Sequence, residues 1–252
     1  MKITGNTVLI TGGGSGIGRG LAETLHALGN QVIIAGRRSQ PLVDTTTANP
    51  GMKSLTVDVT DPASIRAFTA RVVADFPSLN FLINNAGIMR REQLLNQQPG
   101  LADAEAIIAT NLLGPIRLTA ALLPHLLSQP NAVIMNVSSG LAFMPMARTP
   151  TYCATKAAIH SYTLSLRTQL SNTNIEVIEL IPPYVATDLM DGAKNPRAMP
   201  LNKFIAEVAE ILKTQPTPAE ICVENVKNFR FATESGKFEM LFSRLNAPAG
   251  SD

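Results

Sequence analysis

Tryptophan is absent from this 252-residue chain, cysteine occurs twice, histidine three times, and aromatic residues make up only 5%. Each shortage excludes something. Cys153 and Cys222 are too few for a disulfide framework or a cysteine-built metal centre. His26, His125 and His160 share no ligand spacing, so no metal is expected. Basic residues number 21 against 19 acidic ones, a net charge of +2 that gives no reason to expect nucleic acid or an anionic membrane as partner. No apolar run is expected to reach the roughly 18 residues of a spanning helix. Strand-like sequence begins directly after Gly5 and Asn6, where a signal peptide would have its apolar stretch. The expectation is a cytoplasmic protein. What the chain has in quantity is apolar residues, 45% against 16% charged, enough to bury a sizeable core.

That apolar content is organised as alternating strands and helices. Thr7 to Thr11 is a short strand-like run, followed by Gly12-Gly-Gly-Ser-Gly-Ile-Gly18 and a helical pattern with Ile17, Leu21, Leu25 and Leu28 on one face. Gln31 to Ala35 is the next strand, which completes a βαβ unit. Further strands are expected at Lys53–Val57, Asn80–Asn84, Ala132–Val137 and Ile175–Ile181, with a short one near Ile221. Helices are expected at Pro62–Phe76 (capped by Asp61), Asp103–Leu127 (bent at Gly114-Pro115), Tyr152–Leu170 and Leu201–Leu212, with another in the tail. Neither repeat nor linker divides the chain. It reads as a single α/β domain over 1–252, a Rossmann-type doubly wound parallel sheet of six to seven strands with helices on both faces.

The glycines after the first strand have a physical role. Without Cβ atoms, a turn can bring backbone N–H groups against a pyrophosphate at the positive end of a helix. Gly12, Gly16 and Gly18 have the spacing T-G-x-x-x-G-x-G. The tip of the second strand reads Ala35-Gly36-Arg37-Arg38, with no carboxylate to take the ribose hydroxyls of NAD. Two guanidinium groups suit a 2′-phosphate, so NADP(H) is expected over NAD(H). Asp58 could accept from an adenine amine, and the small residues of Asn85-Ala86-Gly87 allow a cofactor to approach closely.

Tyr152 and Lys156 stand four residues apart, on one face of the expected helix. An ammonium beside a phenol favours phenolate and so lowers the phenol pKa, bringing proton transfer closer to neutral pH. Ser138 and Ser139 fall at the carboxyl end of the fifth strand, where ligands bind in doubly wound sheets.

Together, Thr11-Gly-Gly-Gly-Ser-Gly-Ile-Gly18, Asn84-Asn-Ala-Gly87, Asn111, Ser139 and Tyr152-x-x-x-Lys156 resemble the short-chain dehydrogenase/reductase family over about residues 5–190. The resemblance implies a hydride transfer between a nicotinamide cofactor and a carbonyl or alcohol. In it Tyr152 is the acid–base residue, Lys156 lowers its pKa and holds the nicotinamide ribose, Ser139 polarises the substrate oxygen and Asn111 anchors a relay water. Gly12, Ser15, Ile17, Arg37, Asp58, Val59 and Asn85 match cofactor-contacting positions, and Val185 and Thr187 match those holding the carboxamide. Arg38, Gly16, Gly18, Ala86 and Gly87 join the cofactor set from the residue reading above. Pro182-Pro183 stands where the family usually has Pro-Gly, similar to a subgroup with a Pro-Pro-x-Val-x-Thr-Asp-Leu motif. The C-terminus lacks the family's Gly-rich last strand, which favours a homodimer through the long central helices over a tetramer.

Family geometry implies a substrate pocket built from Met89 to Arg91, Leu141 to Met146, Tyr184 and a lid at about 188–212. Methionines (Met89, Met144, Met146, Met190) would line it, with Leu141, Met146 and Tyr184 as the substrate contacts. Arg90 or Arg91 either meets a polar or anionic substrate or lies on the solvated start of the next helix. Cys153 is expected to be a small buried residue. The alternative to an enzyme is a sensor that binds NADP(H) without turnover. A nucleotide-sugar epimerase would need a longer region than the roughly 65 residues after Thr187.

Overall fold

Seven short runs rich in Val, Ile and Leu pair side by side into one parallel sheet. They are β1 (Thr7–Thr11), β2 (Gln31–Gly36), β3 (Lys53–Thr56), β4 (Leu79–Asn84), β5 (Ala132–Val137), β6 (Ile175–Ile181) and β7 (Glu220–Cys222), in the order β3-β2-β1-β4-β5-β6-β7. The structure, a computed structural model, describes residues 2–93, 101–215 and 218–247, and of Asp191 and Lys194 the backbone alone. The chain works outward from β1 to β3 and then crosses back to β4. The carboxyl ends of β1 and β4 therefore flank the topological switch point, the place where such sheets bind ligands.

Both faces of the strands are apolar, so helices must cover both. Val8, Ile10, Val32, Ile34, Phe81 and Ile83 meet Leu21 and Leu25 of α1 (Gly16–Ala27) and Phe204 and Val208 further along the chain. The alternate residues Leu9, Ile33, Leu82 and Ile134 meet Ile65 and Phe68 of α3 (Pro62–Asp75) and Leu118 and Leu122, with Leu166, from the later helices. Full burial of each such side chain stabilises by about 1.5–3 kcal/mol. Asp61 caps α3 as expected, accepting from the N–H groups of Ala63 at 2.9 Å and Ser64 at 3.1 Å.

The structure adds one helix and corrects others. An α2 helix (Ser39–Ala48) that was not expected follows β2; its Thr45 and Thr46 hydroxyls donate back to the carbonyls of Pro41 and Leu42. The long helix expected at 103–127 is two helices, α4 (Ala102–Ile108) and α5 (Gly114–Ser128), joined by a π-helical turn at Ala109–Leu113. The distortion therefore comes before Gly114-Pro115 and holds Asn111. By length and composition, Ala102–Ser128 (mean hydropathy 1.6) is apolar enough to cross a membrane, which corrects the expectation that no run would qualify. Ile107, Leu118, Leu122 and Leu126 on it are fully buried against the protein core.

After α6 (Pro150–Gln169) and β6, residues 185–199 form a strap closed at its base. Ala186 N–H donates to Met199 O, Met199 N–H to Tyr184 O, and Val185 bridges Met199. Of the segment 188–212 expected as a lid, the part in α7 (Leu201–Thr214) is core instead, because it buries Phe204, Ile205, Val208 and Leu212. Two more helices close the tail, α8 (Glu224–Arg230) and α9 (Phe238–Asn246).

Candidate active site

The turn after β1 is shaped by what its glycines lack. Gly12 has φ +67, and a Cβ there would come within 2.9 Å of Asn85 Nδ2. At Gly18 a Cβ would stand 2.3 Å from Gly12 O and 2.4 Å from Asn85 Nδ2, so any side chain would part the turn from the β4 loop. Asn85 completes this junction by donating from Nδ2 to Thr11 O at 2.9 Å, while its N–H bonds the Thr11 hydroxyl at 3.0 Å. Ser15 sits at the N-cap of α1 without a capping bond from its side chain, which leaves the first N–H groups of the helix open to a ligand.

A groove of about 470 Å³ runs from this turn across the switch point. It gathers Gly12, Ser15, Gly16, Ile17, Arg37, Arg38, Asp58, Val59, Asn85, Ala86, Gly87, Tyr152, Lys156 and Thr187 into one surface. Two expected members are elsewhere. Gly18 lies beneath the turn and makes room for it, and Val185 is buried, facing the neighbouring cavity. Arg37 and Arg38 are exposed, with no ion-pair partner among the described residues. Hydrogen bonds from Thr60, and secondarily the Arg37 charge, hold Asp58 below its ordinary carboxylate pKa, so it remains an acceptor. Asp188 and Leu189, expected in the lid and not among the cofactor residues, also line the groove.

At the inner end α6 presents Tyr152 and Lys156, 6% and 5% exposed. Lys156 Nζ donates to Val137 O at 2.8 Å and lies 5.6 Å from the centre of the Tyr152 ring. Burial dominates both groups. It pushes the Tyr152 phenol up to about 12, with a hydrogen bond involving Ser139 opposing it, and it draws Lys156 down to about 8, with the Glu179 charge opposing it. With the protein groups alone, burial keeps the phenol above its ordinary value, and a lowering by Lys156 is not seen. Ser139 Oγ accepts from Leu141 N–H at 3.1 Å and faces the same space as the phenol.

Asn111 is set behind this group. Its Oδ1 accepts from Ile88 N–H at 2.9 Å and its Nδ2 donates to Ile88 O at 2.8 Å, which clamps the β4 loop onto the π turn. The side chain thus positions Gly87, whose Cβ would lie 3.4 Å from Asn111 Oδ1.

Beyond Tyr152 opens a second cavity of about 1050 Å³, lined by Leu141, Met146 and Tyr184 as expected, and by Met89 and Met190. Met144 is fully buried outside it, a correction to the expected methionine lining. Arg91 lines this cavity; Arg90 pairs instead with Asp103 on α4. Cys153 is 4% exposed and accepts from Met146 N–H, a packed residue as expected. The far wall comes from Asn225, Asn228 and Phe229 of α8 and Leu241, Arg244 and Leu245 of α9. Sequence reasoning missed this wall. Its one signal was the amphipathic spacing of Phe238, Leu241, Phe242 and Leu245 in the tail.

Comparison with known proteins agrees with this geometry. Residues 6–198 match the short chain dehydrogenase family. The chain is 39% identical over 251 residues to the uncharacterized oxidoreductase DltE of Bacillus subtilis (strain 168), covering 98% of each. A short chain dehydrogenase from Burkholderia cenocepacia J2315, solved in complex with NADP, superposes with a TM-score of 0.82 at 25% identity, over 98% of this chain and 100% of that one. The 3-ketoacyl-(acyl-carrier-protein) reductase of Brucella melitensis, complexed with NADH, superposes with a TM-score of 0.77 at 26% identity, over 86% and 93%. The chain belongs to the short-chain dehydrogenase family and has the fold of its oxidoreductases.

Proposed function

We propose that this oxidoreductase interconverts a carbonyl compound and its alcohol with NADP(H), preferred over NAD(H). One observation carries the reading: Tyr152 lines both the glycine-turned groove and the apolar cavity, so a group bound in each would meet at its hydroxyl. The residues present fit a dinucleotide, since Gly12 and Gly18 let the turn close against the β4 loop, Gly12 and Gly16 line the groove, and Ser15 leaves the helix N-terminus open. Arg37 and Arg38 supply exposed guanidinium groups for a 2′-phosphate, with no carboxylate at the β2 tip to select a free ribose hydroxyl. Asp58 accepts at the adenine end, and Thr187 lines the groove beside Gly16.

When bound, the nicotinamide supplies or accepts the hydride. The chain supplies the rest. Ser139 donates to the substrate oxygen and holds it near the Tyr152 hydroxyl. Tyr152, protonated at neutral pH, gives its proton to that oxygen during reduction and takes it back during oxidation. Lys156, charged below about 8, stabilises the phenolate left behind. Asn111 holds the Gly87 loop against Lys156, consistent with a water-borne proton path to the lysine.

The same reading takes the protein as a cytoplasmic homodimer, using the exposed Ile108, Leu113 and Leu127 of the central helices as the contact. The reading also takes the Pro182-Pro183 step as support for membership of the Pro-Pro-x-Val-x-Thr-Asp-Leu subgroup, and the 185–199 strap as the lid.

The test is absorbance of NADPH or NADH during incubation with ketones, aldehydes, diketones and quinones. NADPH oxidation outpacing NADH oxidation is expected. Tight NADPH binding without any turnover would leave the sensor reading in its place.

A further inference from the structure

The larger cavity has a charge pattern that the chain's composition does not give it. Acidic and basic residues are almost equal in number, 19 against 21. Yet the described residues lining this cavity include four arginines (Arg91, Arg148, Arg197 and Arg244) and no aspartate or glutamate. The four come from separate segments: the loop after β4, the loop before α6, the 185–199 strap and α9. None has an ion-pair partner among the described residues. All four are exposed, whereas Tyr152 and Ser139 at the cavity's inner end are 6% and 8% exposed. Positive charge therefore rings the mouth and the reacting groups form the floor.

Between mouth and floor the walls are apolar, with Met89, Leu141, Met146, Phe229, Leu241 and Leu245. At about 1050 Å³ the space is at the upper end for a ligand pocket, far more than a simple ketone fills. Methionine and leucine walls suit a flexible hydrocarbon body. Arginine matches carboxylate and phosphate oxygens bidentately and is only weakly hydrated, so it suits an anion at the end of such a body.

We infer that the substrate is an amphipathic carbonyl compound: a hydrocarbon body with the carbonyl at the inner end and a carboxylate or phosphate at the outer end, held by Arg197 and Arg244 together with Arg91 and Arg148. This rests on the carbonyl reading of Tyr152 and adds the substrate class to it. Arg197 and Arg244 stand on the strap and on α9, so an anion between them would also draw the strap toward the tail helix.

The experiment uses medium-chain ketones, and their alcohols, that differ only in the terminal group: carboxylate, phosphate, methyl ester or trimethylammonium. Calorimetric titration of the alcohols into protein saturated with NADP+ gives Kd, and NADPH oxidation with the ketones gives kcat/KM. At least tenfold tighter binding of one anion than of the ester is expected, with the preference carried by KM and shrinking as salt is added. The ranking of phosphate against carboxylate tells which anion the site takes. An R197Q/R244Q protein should bring the anion-to-ester ratio close to one, and because the readout is a ratio, a partial loss of folded protein does not imitate it. Equal affinity for all four, including no measurable binding of any, overturns the inference, as does a ratio unchanged in R197Q/R244Q. A preference in Kd without turnover upholds the anion site and removes the carbonyl reading. Equal turnover of acid and ester does the reverse.

Discussion

Glu179 and His160 form a pair at 2.8 Å, carboxylate oxygen to Nδ1, in which the glutamate is fully buried and its other oxygen Oε1 bonds nothing among the described residues. His160 lies one turn beyond Lys156 on α6, and Glu179 faces both from β6. Glu220, Cys222 and Arg230 close the group from β7 and α8. Arg230 takes both Glu220 oxygens, at 2.7 and 3.0 Å, which leaves the trio of His160, Glu179 and Glu220 with a cation already beside it.

The Glu179 charge raises the pKa of Lys156 against burial, which leaves the lysine near 8. The reduction rate should hold below that pH and fall above it, as the lysine loses the charge that stabilises the phenolate. Removing the Glu179 charge removes the upward contribution. Glu179→Gln should therefore move the falling limb of kcat to lower pH, with circular dichroism confirming an intact fold. A limb that stays in place would show that Glu179 does not govern Lys156.

Tyr152→Phe removes the proton donor and keeps the ring. Its kcat should drop by about 10²–10⁴, the usual contribution of a positioned acid. Fluorescence titration should give NADPH affinity within a few-fold of the parent. A phenylalanine variant with an undiminished rate would falsify the mechanism.

Arg37→Ala removes one of two exposed guanidinium groups at the β2 tip. A charge-assisted contact contributes about 1.5–3 kcal/mol, so KM for NADPH should rise by about ten- to a hundredfold. KM for NADH, which has no 2′-phosphate, should stay nearly constant. Equal losses with both cofactors would place Arg37 outside the phosphate site.

Gly18→Ala inserts a methyl 2.3 Å from Gly12 O, into backbone that cannot yield cheaply. Destabilisation of about 1–3 kcal/mol is expected in urea titration, with weakened NADPH binding. The same change at Gly29, where nothing lies within 4 Å, meets no clash; its cost comes from φ +82 alone and should leave NADPH affinity as it was.

The strands were legible because both faces of this sheet are covered. β1, β5 and β6 occur at the residues their apolar runs indicate. Helix α2 was not, since Ser39-Gln-Pro-Leu-Val-Asp-Thr-Thr-Thr-Ala48 is a poor helix former whose threonines bond back to carbonyls; the βαβ crossover and the burial of Leu42 impose the helix. That Tyr152 and Lys156 share one face of α6 was readable from spacing, but their electrostatics were not. Tyr152 and Lys156 are one turn apart in any helix, whereas the desolvation that separates their pKa values depends on β5, β6 and the loops packed around them. Asn111 was readable as a position, not as a clamp, because a π turn leaves no mark in residue spacing. The cavity wall from α8 and α9 was beyond reach for a related reason. Amphipathic spacing indicates that a helix packs, not which side of the sheet it packs on.

Ile17, Ser138, Tyr152, Thr187 and Leu189 line the groove and the larger cavity at once. A change at any of these five alters two recognition surfaces together, so selection on one ligand is constrained by the other. The positions free to diverge singly are at the two far ends, Arg37 and Arg38 beside β2 and Arg197 and Arg244 at the mouth. On the proposed function, coenzyme or substrate preference changes through those outer residues while the shared partition stays as it is.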